Sequence, residues 1–127
     1  MKKLFILSTM LVSYSLVNAQ TIWISETKFK GTVGDNEIEM TLAVPFGGGS
    51  VCAIIGDYNY LSGKKNSNLC SEDGEKIIEQ VDGNETGYFI LNDWEKNIGQ
   101  TLVGTWYTMD GQKSYPVNLE VIGKGEN

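Results

Sequence analysis

The chain has 127 residues, with 10 basic and 16 acidic side chains, a formal net charge of −6 and neither histidine nor arginine. Such an acidic chain repels phosphate backbones and anionic lipid surfaces, so nucleic-acid and membrane-surface partners are disfavoured and a basic protein partner is favoured. Without histidine no Ser-His-Asp or Cys-His machinery can be assembled, and without arginine there is no guanidinium clamp for phosphate or carboxylate.

Met1-Lys2-Lys3 forms a short positive start, and Leu4 to Val17 is mostly apolar. Val17-Asn18-Ala19 fits the small-x-small rule for signal peptidase, so residues 1–19 read as a signal peptide cleaved before Gln20. The apolar run is short for a membrane span. The expectation is an exported protein, periplasmic or secreted. Removing residues 1–19 leaves 108 residues with a net charge of about −8, enough for one domain with a modest core.

From there the apolar period is two. Ile38, Met40, Leu42 and Val44 alternate with Glu37, Glu39, Thr41 and Ala43, and Tyr115, Val117, Leu119 and Val121 alternate with Pro116, Asn118 and Glu120. Side chains of a strand point to opposite faces in turn, so these segments read as strands with one face on a core. Turn residues punctuate the chain at Gly34-Asp35-Asn36, Pro45 to Ser50, Ser62 to Lys65, Glu72-Asp73-Gly74, Asp82-Gly83-Asn84, Asn97 to Gln100 and Asp110-Gly111. Asp110-Gly111 carries the strongest short hairpin signal. The strands between them fall near 22–32, 37–44, 51–60, 66–71, 75–81, 86–92, 101–108 and 114–122. A helical turn fits near Asp93 to Asn97, and residues 123–127 read as a flexible tail.

The fold class is therefore all-β: an eight-stranded antiparallel up-and-down barrel over residues 20–122, with a two-sheet β-sandwich as the alternative. Eight strands is the number at which a closed barrel can fill its own interior.

The motifs Phe29-x-Gly31-x-Val33-Gly34, Ile38-x-Met40-x-Leu42, Gly56-x-Tyr58-x-Tyr60, Thr86-Gly87-x-Phe89 and Leu102-x-Gly104-x-Trp106 follow in this order. In order and spacing the chain resembles small exported bacterial barrel proteins of unknown function, loosely lipocalin-like or avidin-like. The resemblance spans nearly all of residues 20–122 and implies a meander barrel. It implies no function, since one fold hosts many. An avidin's polar biotin ligands cannot be placed residue by residue on this chain, so no biotin site is carried over.

Tyr58, Tyr60, Phe89 and Trp106 share the inward parity. They read as core or as the walls of a cavity for a small apolar ligand, which would require roughly 300 Å³ or more of internal space. Glu79 stands between Ile77 and Val81 and shares their face, unless Ile78 is the inward residue. If inside, it needs a polar partner such as a tyrosine hydroxyl, or has a raised pKa. Paired with a second acid it would be the centre of a carboxylate-based hydrolase. Asp82-Gly83-Asn84-Glu85 offers oxygen ligands but lacks the spacing of a calcium loop. No metal ligands, no catalytic residues and no cofactor are assigned.

Cys52 and Cys70 suggest one disulfide in an oxidising compartment. Their parity opposes it: Cys52 is in phase with Tyr58, while Cys70 is out of phase with Leu69. A bulge or loop in the Asn/Ser-rich fourth strand would be needed to bring them together. The reading that follows is a non-enzymatic exported binding protein, most concretely an inhibitor or immunity-type protein acting on a basic cell-envelope hydrolase. Glu37, Glu39, Phe46, Glu72 and Asp73 are its first candidate contacts. A lipocalin-like carrier of a small apolar ligand is the alternative, and the hydrolase comes last.

Overall fold

The structure is a computed structural model that describes residues 24–45, 51–63 and 66–126. The expected signal peptide, Trp23, and the loop Phe46 to Ser50 lie outside the described residues.

Eight antiparallel strands follow in chain order: β1 (Ile24–Val33), β2 (Asn36–Pro45), β3 (Ile54–Tyr60), β4 (Asn66–Ser71), β5 (Lys76–Val81), β6 (Asn84–Leu91), β7 (Thr101–Thr108) and β8 (Ser114–Glu126). Each pairs with the next, and β8 pairs with β1 to close the barrel. This is the expected meander barrel and not the sandwich.

The alternation read from the sequence sets the wall. Phe29 and Val33 on β1, Ile38, Met40 and Leu42 on β2, Tyr58 on β3, Leu69 on β4, Ile77 on β5, Phe89 on β6, Leu102 on β7 and Val117, Leu119 and Val121 on β8 are all buried in one cluster. Their outward neighbours, among them Glu37, Glu39, Asp57, Asn68 and Glu120, are exposed. A one-residue slip in any strand would turn its apolar set to water, so the core fixes the register.

Two ends follow from this topology. The β1–β2, β3–β4, β5–β6 and β7–β8 connections gather at one end, called the mouth. The β2–β3, β4–β5 and β6–β7 connections gather at the other, the base.

Several local expectations need correction. β8 runs on through residues 123–126, with Gly125 opposite Glu26, where the sequence reads as a tail. The lower half of β1 must be paired for the barrel to close. A register shift beside Lys28 and Phe29 accommodates the extension. No helical turn forms near Asp93. The 92–100 connection is irregular, with Asp93 at φ 50°, and is tied to β8 through Gly99 N–H donating to Val121 O and Val121 N–H donating to Gln100 O.

The tight two-residue hairpin is at Asp82-Gly83 (φ 53° and 83°), the positive pair that a type I′ turn demands. Asp110-Gly111 instead sits within the longer 109–113 loop. There Asp110 accepts hydrogen bonds from Thr108 Oγ1 (2.6 Å) and Gln112 N (3.0 Å), which hold its carboxyl below the usual range.

Cys52 and Cys70 are bridged, with Cα atoms 5.4 Å apart. The parity conflict is resolved on the third strand, not the fourth. β3 starts at Ile54, so Cys52 precedes it in an irregular 51–53 segment and is free of the strand's alternation. The β3–β4 pairing itself is regular, with Ile55 opposite Cys70.

Candidate functional site

The interior near the mouth is built around Glu79. It follows Ile77 inward on β5, two residues before the rim, and is 6% exposed, while Ile78 points outward. A buried carboxylate is costly unless hydrogen-bonded. Two donors, each from two strands away along the wall, reach the same oxygen, Oε1: the Tyr58 hydroxyl at 2.8 Å from β3 and the Trp106 indole N–H at 2.7 Å from β7. Oε2 has no hydrogen-bond partner among the described residues, yet no fully buried side-chain oxygen there is left unpaired. Oε2 therefore retains contact with solvent.

The sequence explains why the indole can reach. Gly87 lies inward on β6, opposite Glu79. A Cβ there would overlap the Trp106 ring and the Tyr107 carbonyl. Glycine leaves the space in which the indole lies across the strand and aims Nε1 at the carboxylate.

The aromatic groups form two tiers. Tyr58 and Phe89 are fully buried and meet edge to face at 5.3 Å. Tyr60 stands edge-on to Tyr58 at 5.7 Å, and Trp106 lies 5.9 Å from Tyr115. Tyr60 and Trp106 are only partly buried against the core. Burial, the neighbouring Glu79 carboxylate and the hydrogen bond to it push the Tyr58 phenol far above its usual range. The neutral phenol is thus the donor.

Above these residues lies a hollow of about 480 Å³, lined by Tyr60, Trp106, Tyr115, Asp35 and Asn36 together with Val33 and Gly34. It opens to solvent at the mouth. Beneath it the barrel interior is occupied, since Phe29, Ile38, Met40, Leu42, Tyr58, Ile77, Phe89, Val117 and Val121 are each under 2% exposed.

Of the residues singled out from sequence, Tyr58, Tyr60, Phe89, Trp106 and Glu79 come together on the inner face. The other group does not converge. Glu37 and Glu39 lie exposed on the outer wall of β2, and Glu72 and Asp73 occupy the β4–β5 turn at the base. Phe46 is outside the described residues. Asp73 is engaged locally, accepting from Glu75 N (2.9 Å) and Lys76 N (3.0 Å). These bonds hold its carboxyl below the usual range.

Two mouth residues were not singled out. Tyr115 is 45% exposed yet keeps the inward parity of Val117 and Leu119, and its place beside a turn is the signal that it reaches the rim. Asp35 reads from sequence only as a turn former. Trp94 belongs to the base, where it packs against the core from the 92–100 connection.

The chain matches no family model, no curated protein and no solved structure. No helix among the described residues is long and apolar enough to cross a membrane.

Proposed function

We propose that this is a non-enzymatic binding protein that engages its partner through the mouth of the barrel. The observation that carries the reading is the contrast between a filled interior and a hollow of about 480 Å³ at one end, walled by Tyr60, Trp106 and Tyr115. Aromatic side chains anchor interfaces because they offer large, rigid contact area. In its most concrete form, the protein is an exported inhibitor or immunity-type protein acting on a basic cell-envelope hydrolase. Export to the periplasm or the medium is supported by the Cys52–Cys70 disulfide, since such bonds persist in oxidising compartments. A basic partner is supported by the excess of acidic over basic side chains.

The carboxylate-hydrolase reading is less well supported. Glu79 is held by Tyr58 and Trp106, not by a second acid. A small-molecule ligand is the second reading, favoured by the same hollow. It would occupy the mouth and not the core between Tyr58 and Phe89.

The test is a gentle pull-down from the native envelope fraction with the tagged protein, in wild-type form and as Tyr115→Ala, Asp35→Asn and Asn68→Ala. Asn68 is exposed on the outer wall of β4. The expected outcome is a stoichiometric partner lost with the two mouth variants and kept with Asn68→Ala. A partner retained equally by all three variants would sink the reading.

A further inference from the structure

We infer that the mouth receives a cationic side chain, a lysine ammonium or arginine guanidinium projecting from the partner protein. The inference rests on the mouth being the binding site and adds the chemistry of what enters it.

Three features converge. The first is a fixed negative charge behind the wall: Glu79 does not line the hollow but is hydrogen-bonded to Trp106, which does. Glu79 is 6% exposed, with Oε1 pinned by Tyr58 and Trp106 and Oε2 unpartnered among the described residues. Its partners come from β3 and β7, two strands away on either side, so the carboxylate is fixed in place before anything binds. A fixed, nearly desolvated negative charge behind Trp106 acts through space on a cation held in the hollow.

The second is the wall. A cation is attracted to the electron-rich face of tryptophan or tyrosine within about 6 Å of the ring centre. Trp106 donates its N–H to a carboxylate, which withdraws that N–H from other acceptors and enriches the indole's electron density. A sugar seeking a hydrogen bond from the indole would find that donor occupied. Tyr60 and Tyr115 add two further rings.

The third is the rim. Asp35 is the one charged side chain among the described residues that line the hollow, while Lys113 stands exposed in the β7–β8 loop at the same end. A low-dielectric cleft lined by one sign of charge focuses its field on an incoming opposite charge. The same cation–ring chemistry occurs on the outer wall, where Lys76 Nζ sits 4.5 Å from the Tyr88 ring centre.

The experiment is an NMR titration of the full ¹⁵N-labelled chain. The probes are methylguanidinium chloride and Nα-acetyl-lysine methylamide. 3,3-Dimethylbutan-1-ol and N-acetylglucosamine serve as neutral controls. The readout is the Trp106 indole N–H signal, assigned by its loss in Trp106→Phe, with the Gly34 and Asn36 amides. The expected result is saturable shifts with both cations and none with the neutral compounds. The apparent affinity should drop about tenfold in Glu79→Gln and several-fold in Asp35→Asn.

Glu79→Gln keeps an oxygen that can accept from Tyr58 and Trp106, and its folded state is checked by signal dispersion. Asp35→Asn alters an exposed turn residue and keeps the test open should the Glu79 variant unfold. Shifts of equal size with the neutral sugar would overturn the cation while leaving the mouth a binding site. Absence of any shift with the cations, or unchanged affinity in both folded variants, would overturn it outright. Capture of the partner in the pull-down decides the broader reading separately.

Discussion

The two ends of the barrel handle buried polar groups in opposite ways. At the base, Ser71 is fully buried and is used within its own turn, donating to Asp73 and accepting from the Gly74 amide. Trp94 and the Cys52–Cys70 bridge pack and tie that end. At the mouth, Glu79 draws Tyr58 and Trp106 from 21 and 27 residues away and keeps one oxygen uncommitted. Short-range satisfaction closes a structure. Long-range satisfaction with a spare acceptor holds a group ready. The base is closed by local bonds, and the mouth, where we propose that a partner binds, keeps an acceptor in reserve.

The comparison can be broken most directly at the base. Trp94→Ala should cost about 3 kcal/mol, at the low end for a tryptophan because its ring is only half-buried. Losing the disulfide, whose cysteines are 18 residues apart, should cost a similar amount, about 3 kcal/mol. Urea unfolding measures both. If the ends are independent, the Trp106 indole signal stays in place in each variant.

At the mouth, Gly87→Ala puts a methyl group where the Trp106 ring lies. It should destabilise by about 1–3 kcal/mol and move the indole N–H off Glu79, seen as faster hydrogen exchange at that proton. Tyr58→Phe leaves Oε1 with a single donor and should cost about 1–3 kcal/mol. Most of that penalty belongs to the carboxylate left under-satisfied, so Glu79→Met made in the same chain should cost less than expected from adding the single changes. Strict additivity would deny the coupling.

The smallest effect is in alkali. The folded-state pKa of Tyr58 lies above the unfolded value of about 10. Its contribution to stability is therefore complete below about pH 10 and declines as the pH rises further, because the unfolded chain ionises first. An ultraviolet titration should show one tyrosine silent until the barrel unfolds.

The wall of the barrel was legible because alternation is written into runs such as Ile38-x-Met40-x-Leu42, and β2 and β4 carry it to within a residue or so of their ends. The orientation of Glu79 was not, because Ile77 and Ile78 are adjacent apolar residues and parity alone cannot choose between them. The structure chooses Ile77 because the inner row it joins includes Phe89 and Trp106. The disulfide suggested by the two cysteines is present, and the parity objection to it failed for a related reason. Parity argues only within a strand, and β3 begins after Cys52. The acidic residues chosen as contacts failed to converge because exposure and charge carry no information about which end of a barrel they occupy. Tyr115 was visible as part of a strand, but its place on the rim depends on β7 lying alongside, a long-range fact.

The seam between β1 and β8 has one more consequence. The first strand of the domain is closed by the last, with Ser25 opposite Glu126. Whatever passage the chain makes N-terminus first, from a ribosome or across a membrane, the barrel cannot shut until its final residues have emerged. Contacts of such long sequence separation form late. The topology is thus a timer, keeping the barrel open until β8 has arrived.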